Sequence, residues 1–158
     1  MEQTLKTYLV NHNVNYIEHK HLAVFTVEES KKLKQSIPGL HCKCLFLKDT
    51  SGKFYLVALP AQKRLNTKLL RKNLNVKKLN FGSTEELKEH LNLSPGSVSI
   101  FGLINTNQVT LILDKEVWDA EISGFHPNIN TATLEISHKS LERFYNSLKV
   151  EKHVMELD

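Results

Sequence analysis

The sequence predicts a single α/β (α+β) domain in which a mixed, mostly antiparallel sheet is surrounded by helices. Three observations carry that reading. Strand-like and helix-like stretches alternate along the chain with no internal repeat and no linker. Two Ser/Thr-x-x-Glu boxes, Thr26–Glu29 and Ser83–Glu86, mark helix starts by setting a hydroxyl cap one turn before a carboxylate. The apolar runs Cys42–Lys48 and Lys53–Leu59, joined across Asp49-Thr-Ser-Gly52, read as a hairpin. At 158 residues the chain forms one domain, 1–158, long enough to bury a sizeable core. Its 41% hydrophobic and 24% charged residues exclude a disordered or low-complexity chain.

The elements follow in order. Residues 2–12 place Leu5, Tyr8 and Leu9 on one helical face, and 14–18 read as a short strand. A helix runs from Val27 to about Gln35, and Pro38-Gly39 ends it. Beyond the hairpin, Asn66–Asn73 is a helix and Val76–Phe81 a strand. The helix after Ser83 sets Leu87 and Leu91 one turn apart. Ser94–Phe101 reads as a structured loop, Val109–Leu113 as a buried strand and Thr131–Ile136 as another. Ser137 caps a last helix with the stripe Leu141, Phe144, Tyr145 and Leu148.

The formal charge is +4, which permits nucleic-acid binding without requiring it. No apolar run is long enough to span a bilayer, and the amphipathic start is unlike a signal peptide. Cys42 and Cys44 stand two apart, a spacing that on a strand disfavours a bridge, so both read as reduced thiols of a cytoplasmic protein.

Three segments hold candidate chemistry. In His41-Cys-Lys-Cys-Leu-Phe-Leu47, alternation puts Lys43 with Leu45 and Leu47, and Cys44 with Phe46. Both faces are apolar, so the strand is central and covered on both sides. Lys43 then either snorkels past the strand end to water or is a fixed cation aimed at a phosphate or a developing oxyanion. In Gly124-Phe-His-Pro-Asn-Ile-Asn-Thr131, a polar and loop-like stretch, Pro127 biases His126 to extended angles. His126 either bonds within a turn or positions substrate and moves a proton; Asn128 and Asn130 have the same turn-forming alternative. In Pro95-Gly-Ser-Val-Ser-Ile-Phe-Gly102, backbone amides can approach an anion, although the Gly-Lys-Ser/Thr ending of a Walker loop is missing. His19-Lys-His21 and His41-Cys-x-Cys44 lack the spacing of a four-ligand metal site. Arg64, Lys68 and Arg71, with Lys72, Lys77 and Lys78 nearby, form either a solvated face or a phosphate-tracking patch.

Five segments together resemble one family: His21-Leu-Ala-Val-Phe-Thr-Val-Glu-Glu29, His41-Cys-Lys-Cys-Leu-Phe-Leu-Lys-Asp49, Leu79-Asn-Phe-Gly-Ser83, Pro95-Gly-Ser-Val-Ser-Ile-Phe-Gly102 and Phe125-His-Pro-Asn-Ile-Asn-Thr-Ala-Thr133. In order and spacing, over roughly residues 15–140, the chain resembles the YbaK/aminoacyl-tRNA synthetase-associated editing domain family, and within it the free-standing ProX-type prolyl-tRNA deacylases.

The resemblance implies a compact α/β fold and hydrolysis of the ester that joins a wrongly attached small amino acid to tRNA, with alanine on the tRNA for proline as the leading substrate. It implies the acceptor end of that tRNA as partner, prolyl-tRNA synthetase as a further candidate partner, and neither cofactor nor metal. It makes Lys43 and His126 the catalytic pair. It assigns Gly96, Ser97, Val98, Ser99 and Ile100 to the loop of the aminoacyl pocket, and His21, Phe25, Cys44 and Asn130 to substrate binding. The family has Asn where this chain has Cys44, and Pro where it has Ile100. Both changes alter pocket shape and leave cysteine or another small amino acid, or a non-catalytic tRNA-binding relative, as the alternatives.

Overall fold

The computed structural model describes residues 1–23 and 26–158. Helix α1 (Gln3–Asn11) buries Leu5 and Leu9; beyond its His12 cap, Asn13 with its positive φ turns the chain toward strand β1 (Ile17–Lys20). The expected strand at 14–18 thus begins later, because Val14 is committed to the core. Helix α2 (Val27–Ser36) is capped by Thr26, whose hydroxyl oxygen accepts from the Glu29 amide. The Glu29 carboxylate accepts from that same hydroxyl rather than from the Thr26 amide, so this cap is one-sided. Strands β2 (Leu40–Asp49) and β3 (Phe54–Pro60) form the expected antiparallel hairpin, Lys43 opposite Leu59. Buried Asp49 closes it, accepting from the Ser51 and Lys53 amides and the Tyr55 hydroxyl at 2.9–3.0 Å, and from the Ser51 hydroxyl at 2.7 Å.

Helix α3 (Thr67–Leu74) follows its Asn66 cap, and strand β4 is only Leu79–Phe81. Helix α4 (Thr84–Leu91) starts on a complete capping box in which Ser83 and Glu86 serve each other's amides. The 95–101 loop runs into a short 3₁₀ helix (Ile100–Asn105), then β5 (Val109–Asp114), wholly buried. Besides that 3₁₀ helix, three elements go beyond what the sequence predicts: helix α5 (Lys115–Asp119), strand β6 (Ile122–Phe125) and strand β8 (Lys152–Met155). Between them lie β7 (Ala132–Ser137) and α6 (His138–Ser147), the latter capped by Ser137. Gly124 and Phe125 are therefore sheet residues rather than loop; both are buried, and the polar loop begins only at His126.

The sheet order is β1-β7-β6-β2-β3-β5-β8, with β4 attached to β2. Its pairings are mixed, and β2–β6, β3–β5 and β5–β8 are the parallel ones. The two faces of β2 belong to different cores. Cys42, Cys44 and Phe46 pack into the larger one, with Phe101, Phe125 and Phe144. Leu45 and Leu47 pack into a smaller one with Leu70, Ile112 and Leu157. Strand β2 is thus covered on both sides, as its unbroken apolar pattern requires.

Candidate active site

Strand β2 is shared. Strand β6 pairs with its start, Leu40–His41, and β4 with its end, Leu47–Asp49. Strand β3 occupies the opposite edge over Cys42–Lys48, and the Gly82 amide takes the Phe46 carbonyl at 2.9 Å. Between those two partners no strand of the described residues flanks that edge of β2, and a cavity of about 390 Å³ opens there. Lys43, Cys42 and Cys44 form its floor, Gly96, Val98 and Ser99 one wall, and Phe125, His126 and Thr133 the other. Among the described lining residues are two lysines, Lys34 and Lys43, and two histidines, with no Asp or Glu. Such a cavity favours negative charge, whether a phosphate or an oxyanion.

Lys43 is half-buried. Its ammonium makes no ion pair among the described residues. It also borders a second cavity on the other side of the strand. Alternation explains this: Lys43 shares its face with Leu45 and Leu47, while its main chain shares the unpaired edge.

His126 stands at the exit of β6. Its Nδ1 lies 2.8 Å from the Ala132 carbonyl. A carbonyl only accepts, so Nδ1 carries the proton. In the neutral ring Nε2 is then an acceptor, able to hold a water or receive its proton. The turn that returns the chain to β7 uses a left-handed Asn128 (φ 64°). Ring nitrogen Nε2 of His21 bonds the Thr133 hydroxyl at 3.0 Å, and the ring lies 6.1 Å from that of His126. His21 thereby braces two lining residues without lining the cavity itself.

In the 95–101 loop, Gly96 has φ +87° and open space where a Cβ would stand. Its backbone therefore meets the cavity directly. The Ser97 amide is taken by the Ser94 carbonyl at 3.1 Å, so it is not free to hold a substrate. Ser99 is buried, and its hydroxyl caps the 3₁₀ helix through the Phe101 amide. Ile100 is buried in the core beneath the loop, its amide directed at the Cys44 sulfur. Of the residues assigned from sequence, Lys43, Cys44, Gly96, Val98, Ser99 and His126 line the cavity, whereas Ser97, Ile100, His21 and Asn130 stand outside its walls. Phe25 lies outside the described residues.

Burial pushes the Cys44 thiol up to about 12 and raises Cys42 well above its ordinary value. Both are neutral thiols at physiological pH and so poor nucleophiles. His41 also lines the cavity, although its sequence context suggests nothing beyond an incomplete metal-ligand pattern. Burial first, then the charge of Lys34, hold its imidazole below the usual range, against the pull of its bond to the Ile37 carbonyl at 3.1 Å. Its place two residues before Lys43 on one strand was the available signal. Among the described residues no group of three His, Cys, Asp or Glu is placed to hold a metal ion, and no helix is long and apolar enough to cross a membrane.

The fold is a small mixed-sheet domain whose cavity, lined by lysine and histidine and by no Asp or Glu among the described residues, suits an anionic ligand. The chain belongs to the aminoacyl-tRNA editing domain family, whose model matches residues 21–144. Prolyl-tRNA editing protein ProX of Acetoanaerobium sticklandii is 34% identical over 133 residues, covering 82% of this chain and 81% of that one. Prolyl-tRNA synthetase associated domain-containing protein 1 of Xenopus laevis is 31% identical over 150 residues, covering 91% and 89%. A crystal structure of a candidate trans-editing enzyme for prolyl tRNA synthetase superposes with a TM-score of 0.76 over 100% of this chain and 98% of that chain. At 16% identity that match speaks for the fold alone.

Proposed function

We propose that this chain is a trans-acting aminoacyl-tRNA deacylase that hydrolyses the ester of mischarged tRNA for proline, with alanine as the amino acid removed. The observation that carries the reading is the cavity beside β2, lined both by Lys43, which has no ion pair among the described residues, and by His126, whose Nε2 is left as the acceptor once Nδ1 bonds the Ala132 carbonyl. Membership in the editing family supplies the reaction class.

An aminoacyl ester is already activated, so no side-chain nucleophile is needed. The raised thiols of Cys42 and Cys44 offer none. Lys43 holds the acceptor end through its phosphate or ribose. Water attacks the carbonyl carbon, its proton passing to Nε2 of His126 or to the neighbouring ribose hydroxyl. The C–O bond to the ribose breaks, and the ribose oxygen leaves with a proton. Gly96 and Val98 supply the main-chain amides nearest the developing oxyanion, since the Ser97 amide is spent on Ser94. Discrimination is by size: a synthetase pocket built for proline rejects a smaller side chain by only about 1–3 kcal/mol, and a second pocket that admits the smaller one completes a double sieve.

Purified protein incubated with alanyl-, cysteinyl- and prolyl-tRNA for proline tests this. Fast loss of the alanyl ester, with the prolyl ester spared, is expected. Preferential loss of the cysteinyl ester would reassign the substrate, and tRNA binding with no turnover would remove the enzymatic reading.

A further inference from the structure

Seven of the 21 basic residues, and none of the 17 acidic ones, fall between Phe54 and Thr84. The stretch is the end of the hairpin, α3 and β4. One of the seven, Lys63, is neutralised by Asp114, Glu116 and Asp158 at 2.8–3.6 Å. The other six, Arg64, Lys68, Arg71, Lys72, Lys77 and Lys78, have no ion pair among the described residues. Arg64 precedes α3 rather than lying on it, while Lys68, Arg71 and Lys72 share one helical face at spacings of three and four.

This basic surface adjoins the second cavity, about 480 Å³, on the far side of β2 from the thiols. Leu45, Leu47, Leu65 and Leu79 make it apolar, and Arg64, Lys43 and Phe81 border it. Phe81 is 68% exposed, an aromatic ring left open on a short edge strand. An apolar hollow with a bare ring and a guanidinium at its rim, lined also by Thr67 at the start of the helix that carries Lys68, Arg71 and Lys72, matches an unpaired nucleotide: a base stacks in the hollow while its phosphates follow the cations. An acidic protein would satisfy the cations but would leave the open ring and the apolar hollow without a flat partner.

We infer that the second cavity takes a base of the unpaired 3′ end of an RNA, and that the α3 face carries the phosphates leading to it. The inference rests on the tRNA substrate proposed above. Lys43, which borders both cavities, is the hinge between them: the ester enters one and the adjoining base the other.

The test uses two uncharged RNA hairpins with the acceptor-stem sequence of tRNA for proline, one with its unpaired 3′ tail and one blunt. Fluorescence anisotropy is measured at several salt concentrations. Wild type is expected to bind the tailed RNA on the order of tenfold tighter, and Phe81→Ala to lose that increment while binding blunt RNA normally. Lys68→Gln/Arg71→Gln/Lys72→Gln should weaken both by about tenfold or more and flatten the log affinity–log salt slope by about 2. Lys77→Ser/Lys78→Ser is a second neutralisation, outside the helix, should the triple variant fold poorly. Equal affinity of wild type for tailed and blunt RNA, or variants that bind like wild type, would overturn the inference. Tail-dependent binding without ester hydrolysis would instead remove the proposed enzyme and leave this surface standing. Hydrolysis with unchanged KM in both variants would do the reverse.

Discussion

Two lysines stand at the same end of neighbouring strands and differ in one respect. Lys63, just beyond β3, is surrounded by Asp114 at 2.8 Å, Asp158 at 3.1 Å and Glu116 at 3.6 Å, with only 16% of its side chain exposed. Lys43, one strand away, is half-buried among leucines and thiols and has no carboxylate partner among the described residues. Burial works against the charge of Lys63, but the Asp114 and Asp158 carboxylates outweigh it and hold the ammonium above the usual lysine range. A lysine kept for structure is neutralised by its own chain. One left without a partner near a cavity has its charge available to a ligand.

The comparison is broken or sharpened most strongly by removing each ammonium in turn. Lys63→Ala strands a carboxylate, Asp114, that is 1% exposed, and should cost about 3–5 kcal/mol of stability by denaturant unfolding. The raised position of Lys63 fixes the pH sign. Its contribution is complete below the ordinary lysine value and is lost only as pH rises through the raised one, so the deficit should not change between neutral pH and pH 9. Lys43→Ala should unfold within about 0.5 kcal/mol of wild type, yet lose about 10²–10³ in deacylation rate. If Lys43→Ala were the destabilised variant and Lys63→Ala the inactive one, the two roles would be reversed.

Smaller effects probe the walls of the site and the supports behind it. Gly96→Ala places a side chain at φ +87°, where L residues are strained, and should cost about 1 kcal/mol. The rate should fall further than stability does, since the new methyl enters cavity space. Ser83→Ala removes half of the capping box and should cost about 1 kcal/mol in thermal unfolding, with activity unchanged. The Ser83 amide first, then Lys48, depress the Glu86 carboxyl to about 2. Its contribution to stability is therefore present above the ordinary carboxylate range and is lost as pH falls through about 2. In Lys48→Met a carbon-13 titration should show the Glu86 midpoint moved upward.

The sequence made the hairpin, the capped helices and the two-sided burial of β2 legible, because each rests on local chemistry: alternation, hydroxyl caps and the Asp49-Thr-Ser-Gly52 turn. It concealed α5, β6 and β8. Strand β8 is four residues at a sheet edge and is defined by β5, far back in the chain; β6 is short, holds a glycine, and is tied to β2, far back in the chain, by two residue pairs only. Lys43 stood out as a charge in an apolar strand. The histidine of the Phe-His-Pro turn was visible, but its tautomer depends on a carbonyl six residues on. Resemblance pointed to the 96–100 loop, but only tertiary contacts separate its residues. Gly96 and Val98 meet the cavity, while Ile100 and the Ser97 amide are occupied elsewhere. Spacing does not reveal His41 as a cavity residue, because what sets it apart is its burial, which lowers its imidazole below the usual range.

The most direct test of the central claim is a single-turnover time course of alanyl-tRNA for proline with wild type and Lys43→Ala at matched, saturating enzyme. Rapid ester loss with wild type, and loss slowed by about 10²–10³-fold with a folded Lys43→Ala, is the result this account requires. Equal rates for the two proteins would contradict it.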